Sequence, residues 1–166
     1  MPNKTIESYI SEILTGDMRK NASEFVAALH ATGMDFIRGG GYWADKCYWL
    51  AMYDGEFVCS FLVGPEEIGQ NANTFMIWSD NCGTGWYENA ELDEQTRETA
   101  WRNVDFCGSC GFCSGGTQKT IFGREFDNVC ITTFSFDNPD DISVRCAMEM
   151  VRLRKNDIML NKTHTK

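Results

Sequence analysis

The sequence predicts an α+β protein: a mostly antiparallel sheet of about five strands with two N-terminal helices, a middle helix and a long C-terminal helix. Three observations predict it. Apolar residues recur at three- and four-residue steps near both ends, aromatic and β-branched runs fill the middle, and an Asp-Gly pair separates two of those runs.

Ile6, Tyr9, Ile10, Ile13 and Leu14 share one helical face, and Gly16 can end that helix in left-handed backbone. Asp17 or Asn21 can cap a second helix, which buries Phe25, Val26 and Leu29 and closes at Gly33. Gly39-Gly40-Gly41 then breaks the pattern. Asp54-Gly55, between the apolar runs Cys47–Tyr53 and Glu56–Val63, favours the positive φ pair of a type I′ hairpin turn. Trp49, Ala51 and Tyr53 alternate with Tyr48, Leu50 and Met52, so this sheet is covered on both faces or lines a pocket with one. Residues 65–73 read as a loop and Thr74–Ser79 as a third strand.

Asp93 can cap a third helix that buries Ala100, Trp101 and Val104. Beyond the Gly- and Cys-rich segment 107–116, Lys119–Phe122 and Val129–Phe136 read as two strands joined through Gly123-Arg124 or Asp127-Asn128. The last helix has the strongest start signal. Asn138 is its expected cap, Pro139 its first residue, and Asp140 and Asp141 suit the positive end of the dipole. Ile142, Cys146, Met150 and Leu153 form its apolar stripe. Residues 1–160 are expected to form one domain, with 161–166 a frayed tail.

The 166 residues suffice for one core that buries roughly 68–70% of the unfolded surface, so no staples are required. Neither an export signal nor a run of ~18 apolar residues is evident, which leads us to expect a cytoplasmic protein that does not enter membranes. A net charge of −9 repels phosphate backbones and anionic lipid and argues against nucleic-acid partners. With no export signal, the eight cysteines read as reduced thiols or metal ligands rather than disulfides.

Cys107, Cys110 and Cys113 place three thiols in seven residues, separated by small residues that let the sulfurs turn toward one ion. A soft ion suits such a set. An iron–sulfur run of the bacterial ferredoxin type needs a fourth Cys where Thr117 stands, so zinc is expected ahead of an iron–sulfur cluster. Free thiols in a Gly-rich loop are the alternative. For the fourth ligand the candidates are Cys130, Cys82 or water. Cys130 is favoured, because a hairpin turning at Gly123-Arg124 sets it opposite Thr117, where Gly115-Gly116 can fold the loop back onto it.

The aromatic residues form a second feature. Core packing explains most single cases, but Trp43, Tyr48, Trp49, Trp78 and Trp86, with Asp80 among them, would make a sheet-lined pocket for a flat or cationic ligand. His30 and His164 are the only histidines and neither lies near a cysteine in sequence, so Cys-His catalysis is not expected and no catalytic residue is assigned.

The segment from Asn103 through Cys107, Cys110, Cys113-Ser-Gly-Gly and Phe122-Gly-Arg-Glu-Phe-Asp-Asn-Val-Cys130, with Phe134-Ser-Phe-Asp-Asn-Pro139, resembles a bacterial family without an assigned activity. The order of elements is also similar to the GyrI-like small-molecule-binding domains. That resemblance implies a sheet-lined pocket with aromatic walls and a central carboxylate for cationic amphiphiles. No position in the sequence matches that carboxylate, and the cysteine segment departs from the pattern. The expected function is therefore small-molecule binding with a cysteine-held structural metal. The alternatives are a protein-interaction or regulatory module rigidified by the metal, and a thiol- or metal-dependent enzyme. Self-association into a homodimer is left open.

Overall fold

A computed structural model describes residues 4–165. Helix α1 (Ile6–Ile13) starts at Thr5, whose hydroxyl accepts the Ser8 N–H. α2 (Gly16–Ala31) follows almost at once from the extended residue Thr15. Neither Asp17 nor Asn21 caps it. Gly16, at φ +56°, opens α2 rather than only closing α1, and Asn21 is buried, donating to the Pro139 carbonyl at 2.9 Å. Gly33, in left-handed backbone, ends α2.

The sheet has seven strands rather than about five: β1 (Asp35–Arg38), β2 (Tyr48–Tyr53), β3 (Glu56–Val63), β4 (Phe75–Ser79), β5 (Val104–Phe106), β6 (Thr117–Ile121) and β7 (Arg124–Asp137). All neighbours are antiparallel, in the order β1-β2-β3-β4-β7-β5, with β6 also on β7. The two extra strands, β1 and β5, are four and three residues long and lie at the edges, where brief pairing suffices. The β2–β3 hairpin turns at Asp54-Gly55 as expected, with φ of 53° and 82°.

The β6–β7 turn is at Phe122-Gly123, one residue before the expected Gly123-Arg124 and five before the alternative Asp127-Asn128. Phe122 and Gly123 both have positive φ and Ile121 faces Arg124; the earlier turn moves Thr117 away from Cys130, and with an irregularity between Thr117 and Lys119 it faces Val129. β7 is consequently fourteen residues long and shared: its first half pairs with β6 and its second half with β4, on the same edge. β5 lies along the opposite edge. Segment 107–116 therefore crosses β7 to connect β5 with β6.

Trp49, Phe61, Ile77 and Phe136 stand in one cross-strand row and face α1, α2 and α4, where Phe25, Ile10, Leu14, Leu29 and Met150 complete the core. α3 (Glu94–Arg102), capped by Asp93 as expected, packs on α4 (Asp141–Thr163). α4 is capped by Asp140, because Asn138 is left-handed and its side chain instead accepts the Phe75 N–H at 3.0 Å. It runs to Thr163, three residues into the expected tail, and Ile142 lies outside its buried stripe. No helix among the described residues is long and apolar enough to cross a membrane.

Candidate functional site

The opposite sheet face carries the rows Tyr48–Leu62–Met76 and Leu50–Ser60–Trp78. Trp43, from a single helical turn at Gly41–Trp43, stacks on Tyr48 at 4.4 Å, and both lie about 6 Å from Trp78. A Cβ on Gly39 would stand 2.3 Å from the Tyr48 ring, so only glycine lets the chain pass there. Trp49 is on the other face, under the Arg38 guanidinium at 5.0 Å. The six expected ligand-binding residues thus do not share one cavity. Trp43, Tyr48 and Trp78 form one cluster, Trp49 stands apart, and Asp80 meets Trp86 elsewhere.

That meeting point lies where β4 ends and the free edge of β6 begins, beside the shared strand β7. A cavity of about 510 Å³ opens there between segment 80–88 and segment 113–120. Ser79 is the last strand residue, after which Asp80 and Asn81 both turn left-handed, at φ 105° and 78°. Across from Ser79, the β-branched Thr133 is left-handed as well, at φ 59°, where the β4–β7 register shifts. Non-glycine residues in such backbone cost roughly 1–3 kcal/mol each and concentrate at functional sites.

The strain aims a carboxylate inward. Asp80 is 2% exposed. Its Oδ1 accepts the Cys82 N–H at 3.2 Å, the Cys82 thiol at 2.6 Å and the Trp86 indole N–H at 3.3 Å. Oδ2 accepts the Thr133 hydroxyl at 2.8 Å and lies 3.7 Å from Lys119 Nζ, which itself donates to Thr133 Oγ1 at 2.6 Å. Lys119, Thr133 and Asp80 therefore form a continuous polar chain, with the Lys119 ammonium 5.6 Å from the centre of the Tyr87 ring. Burial first, then the Asp80 charge, pushes the Tyr87 phenol up to about 12. Burial and the Asp80 hydrogen bond likewise raise the Cys82 thiol.

Hydrogen bonds to β7, to the β6–β7 turn and to α4 fix the 80–88 segment. Asn81 N–H donates to the Ile131 carbonyl, Phe122 N–H to the Tyr87 carbonyl, and Thr84 Oγ1 to Asp157 on α4 at 2.9 Å. Asp157 in turn accepts from the buried Arg154, whose Nε holds the Phe57 carbonyl. The sequence reading placed Asp80 and Trp86 at a ligand site and weighed Cys82 only as a metal ligand, and it missed Lys119, Thr133 and Thr84. The available signal was a strand running straight into Ser-Asp-Asn-Cys-Gly, five residues without an apolar anchor.

The cysteine loop forms another wall, since Cys113, Ser114 and Gly115 line the cavity. Its base is closed on β7: Cys107 N–H donates to the Asn128 carbonyl at 2.8 Å, and a Cβ on Gly116 would meet both Asn128 and Cys107. Gly115-Gly116 do return the chain to β7, but they meet Asn128, two residues before Cys130. Cys110 is exposed, and Cys107, Cys113 and Cys130 are half-buried. Among the described residues no group of three or more His, Cys, Asp or Glu side chains is arranged to hold a metal ion. Cys82, the other fourth-ligand candidate, is engaged by Asp80 instead. No family model, curated protein or solved structure matches this chain.

Proposed function

We propose that the protein binds a small charged molecule, one carrying a cationic group, in the cavity above Asp80. One observation carries the reading: a buried Asp80–Lys119 pair at the cavity floor, held by three left-handed non-glycine residues, Asp80, Asn81 and Thr133. Tyr87 supplies an aromatic wall of the GyrI-like kind beside the buried Asp80. Glu88 and Glu125 add negative charge at the rim, which favours a cation. Native mass spectrometry of gently purified protein should show a bound small molecule that Lys119→Met loses. No such mass, and no compound in a screen of amines that shifts indole fluorescence, would refute the proposal.

The cysteine loop is proposed as a zinc clasp on Cys107, Cys110, Cys113 and Cys130 that rigidifies the cavity wall. The thiol spacing supports this, together with the crossing of the loop over β7 next to Cys130. Since these sulfurs are not gathered, zinc would have to fold the glycine-rich loop inward, and its stoichiometry by elemental analysis tests the point.

A second reading, a docking module, draws on the exposed pair Tyr42 and Phe112, 47% and 80% exposed with ring centres 6.5 Å apart, beside the Trp43 cluster. A thiolate-dependent enzyme has less support, because Cys82 is held in its protonated form.

A further inference from the structure

We infer that the ligand of the Asp80 cavity is a small zwitterion of amino-acid type, its carboxylate on Lys119 and its ammonium group between Glu125 and Glu88. This rests on the cavity being the ligand site. The floor cannot receive a cation directly. Asp80 is buried and its two oxygens already accept four hydrogen bonds, two from Cys82 and one each from Trp86 and Thr133. The group that reaches from this floor into the cavity is the Lys119 ammonium, on a side chain 14% exposed.

An ammonium has three N–H bonds. In Lys119 one donates to Thr133 Oγ1 and a second lies toward Asp80 Oδ2, leaving one donor for a ligand. Asp80 cancels the net charge of Lys119, so the donor is oriented without adding excess positive charge to an acidic rim. A ligand acceptor, such as a carboxylate, is the complement of that donor.

The rim has the opposite character. Glu88 and Glu125 both line the cavity, both are exposed, and neither has an ion-pair partner among the described residues. Arg124, the cation next to Glu125, is turned onto the rings of Trp101 and Phe126, at 5.5 and 5.0 Å. Glu125 pairs with Thr120 and Lys119 with Phe126 across the β6–β7 ladder, so the two side chains leave opposite faces of the ladder and both line the cavity at the free edge of β6. A single donor below and two unpaired carboxylates above thus face one cavity of about 510 Å³, large enough for a ligand with two charged ends.

Calorimetric titration with short unbranched α- and ω-amino acids, each compared with the alkylamine and the carboxylic acid of the same length, tests the inference. At least one amino acid should bind about tenfold or more tightly than either matched half, the factor one charge-assisted hydrogen bond supplies. Lys119→Met should remove its advantage over the amine. Glu125→Gln, at an exposed position that leaves the fold intact, should remove its advantage over the acid. Equal affinity for amino acid and matched amine, or no change with Glu88→Gln and Glu125→Gln combined, would overturn the inference. So would binding by no member of the series. A co-purifying molecule of another class would then leave the cavity as a ligand site, and its absence would remove both.

Discussion

Removing Lys119 should expose how strongly the fold depends on the polar chain at the cavity floor. Lys119→Met leaves the Asp80 carboxylate 2% exposed with its four hydrogen bonds but no countercharge. At 3.7 Å the pair attracts by about 4.5 kcal/mol at an effective dielectric of 20. The relief of Lys119 desolvation offsets part of this, so the expected loss is about 3 kcal/mol, at the lower end of what breaking a buried pair costs. With a urea m-value of roughly 1–3 kcal/mol/M, the midpoint should fall by about 1 M or more. Asp80→Asn with Lys119→Met removes both charges, and the pair of substitutions should cost about 2 kcal/mol less than the sum of the two single ones. Urea unfolding at pH 7, followed by indole fluorescence and circular dichroism together, provides the measurement. A loss below about 1 kcal/mol for Lys119→Met, or strict additivity in the double variant, would show that the pair is not coupled and that Asp80 is sustained by its hydrogen bonds alone.

Gly55→Val puts a β-branched residue at φ 82° and should destabilise by more than about 1 kcal/mol; an unchanged melting temperature would contradict the type I′ turn. Stability should also decline on alkaline titration. Tyr87 and Cys146 are both pushed up to about 12, against 10 and 9 when unperturbed, and Cys59 is pushed up as well. The unfolded chain releases these protons first, so stability is full below pH 9 and falls as pH rises toward 12. A flat urea midpoint between pH 8 and pH 11 would remove that linkage. Zinc content measured after growth with added metal should fall in Cys110→Ser and Cys130→Ser but not in Cys82→Ser, whose thiol is engaged by Asp80. Equal content in wild type and Cys110→Ser would leave the loop without a metal.

The elements with strong local determinants were legible in the sequence. Asp54-Gly55 dictates its turn by backbone preference alone, and Asp93 caps α3 through its own side chain. α4 shows a partial failure: Asn138-Pro139-Asp140-Asp141 offers two caps, and the choice of Asp140 is made by the distant Phe75 N–H, which claims Asn138. β1 and β5 are set by their neighbours on a sheet edge and carry too few residues for a period. Asp80 and Trp86 were expected in one aromatic pocket, whereas Trp86 packs on Tyr87 and Phe134 and is not among the residues lining the cavity; Lys119 and Thr133 read as ordinary strand residues. Their roles come from the left-handed kink at Thr133 and the end-to-end placement of β4 and β6 along β7, neither of which has a local signature.

The origin of the cavity groups has a thermodynamic consequence. Asp80 comes from the end of β4, Lys119 from β6, Thr133 from β7, and Thr84 is tied to Asp157 on α4. No fragment of the chain contains the site, which exists only when all four elements have docked. A ligand there does not stabilise one loop; it acts as a folding partner for the whole molecule. Every global unfolding event must release it, so occupancy adds to the global unfolding free energy, by about 2.7 kcal/mol at a ligand concentration one hundred times its dissociation constant. Ligand supply would thereby set how much of the protein escapes proteolysis through its unfolded state, which makes its abundance in a cell a readout of the molecule it binds.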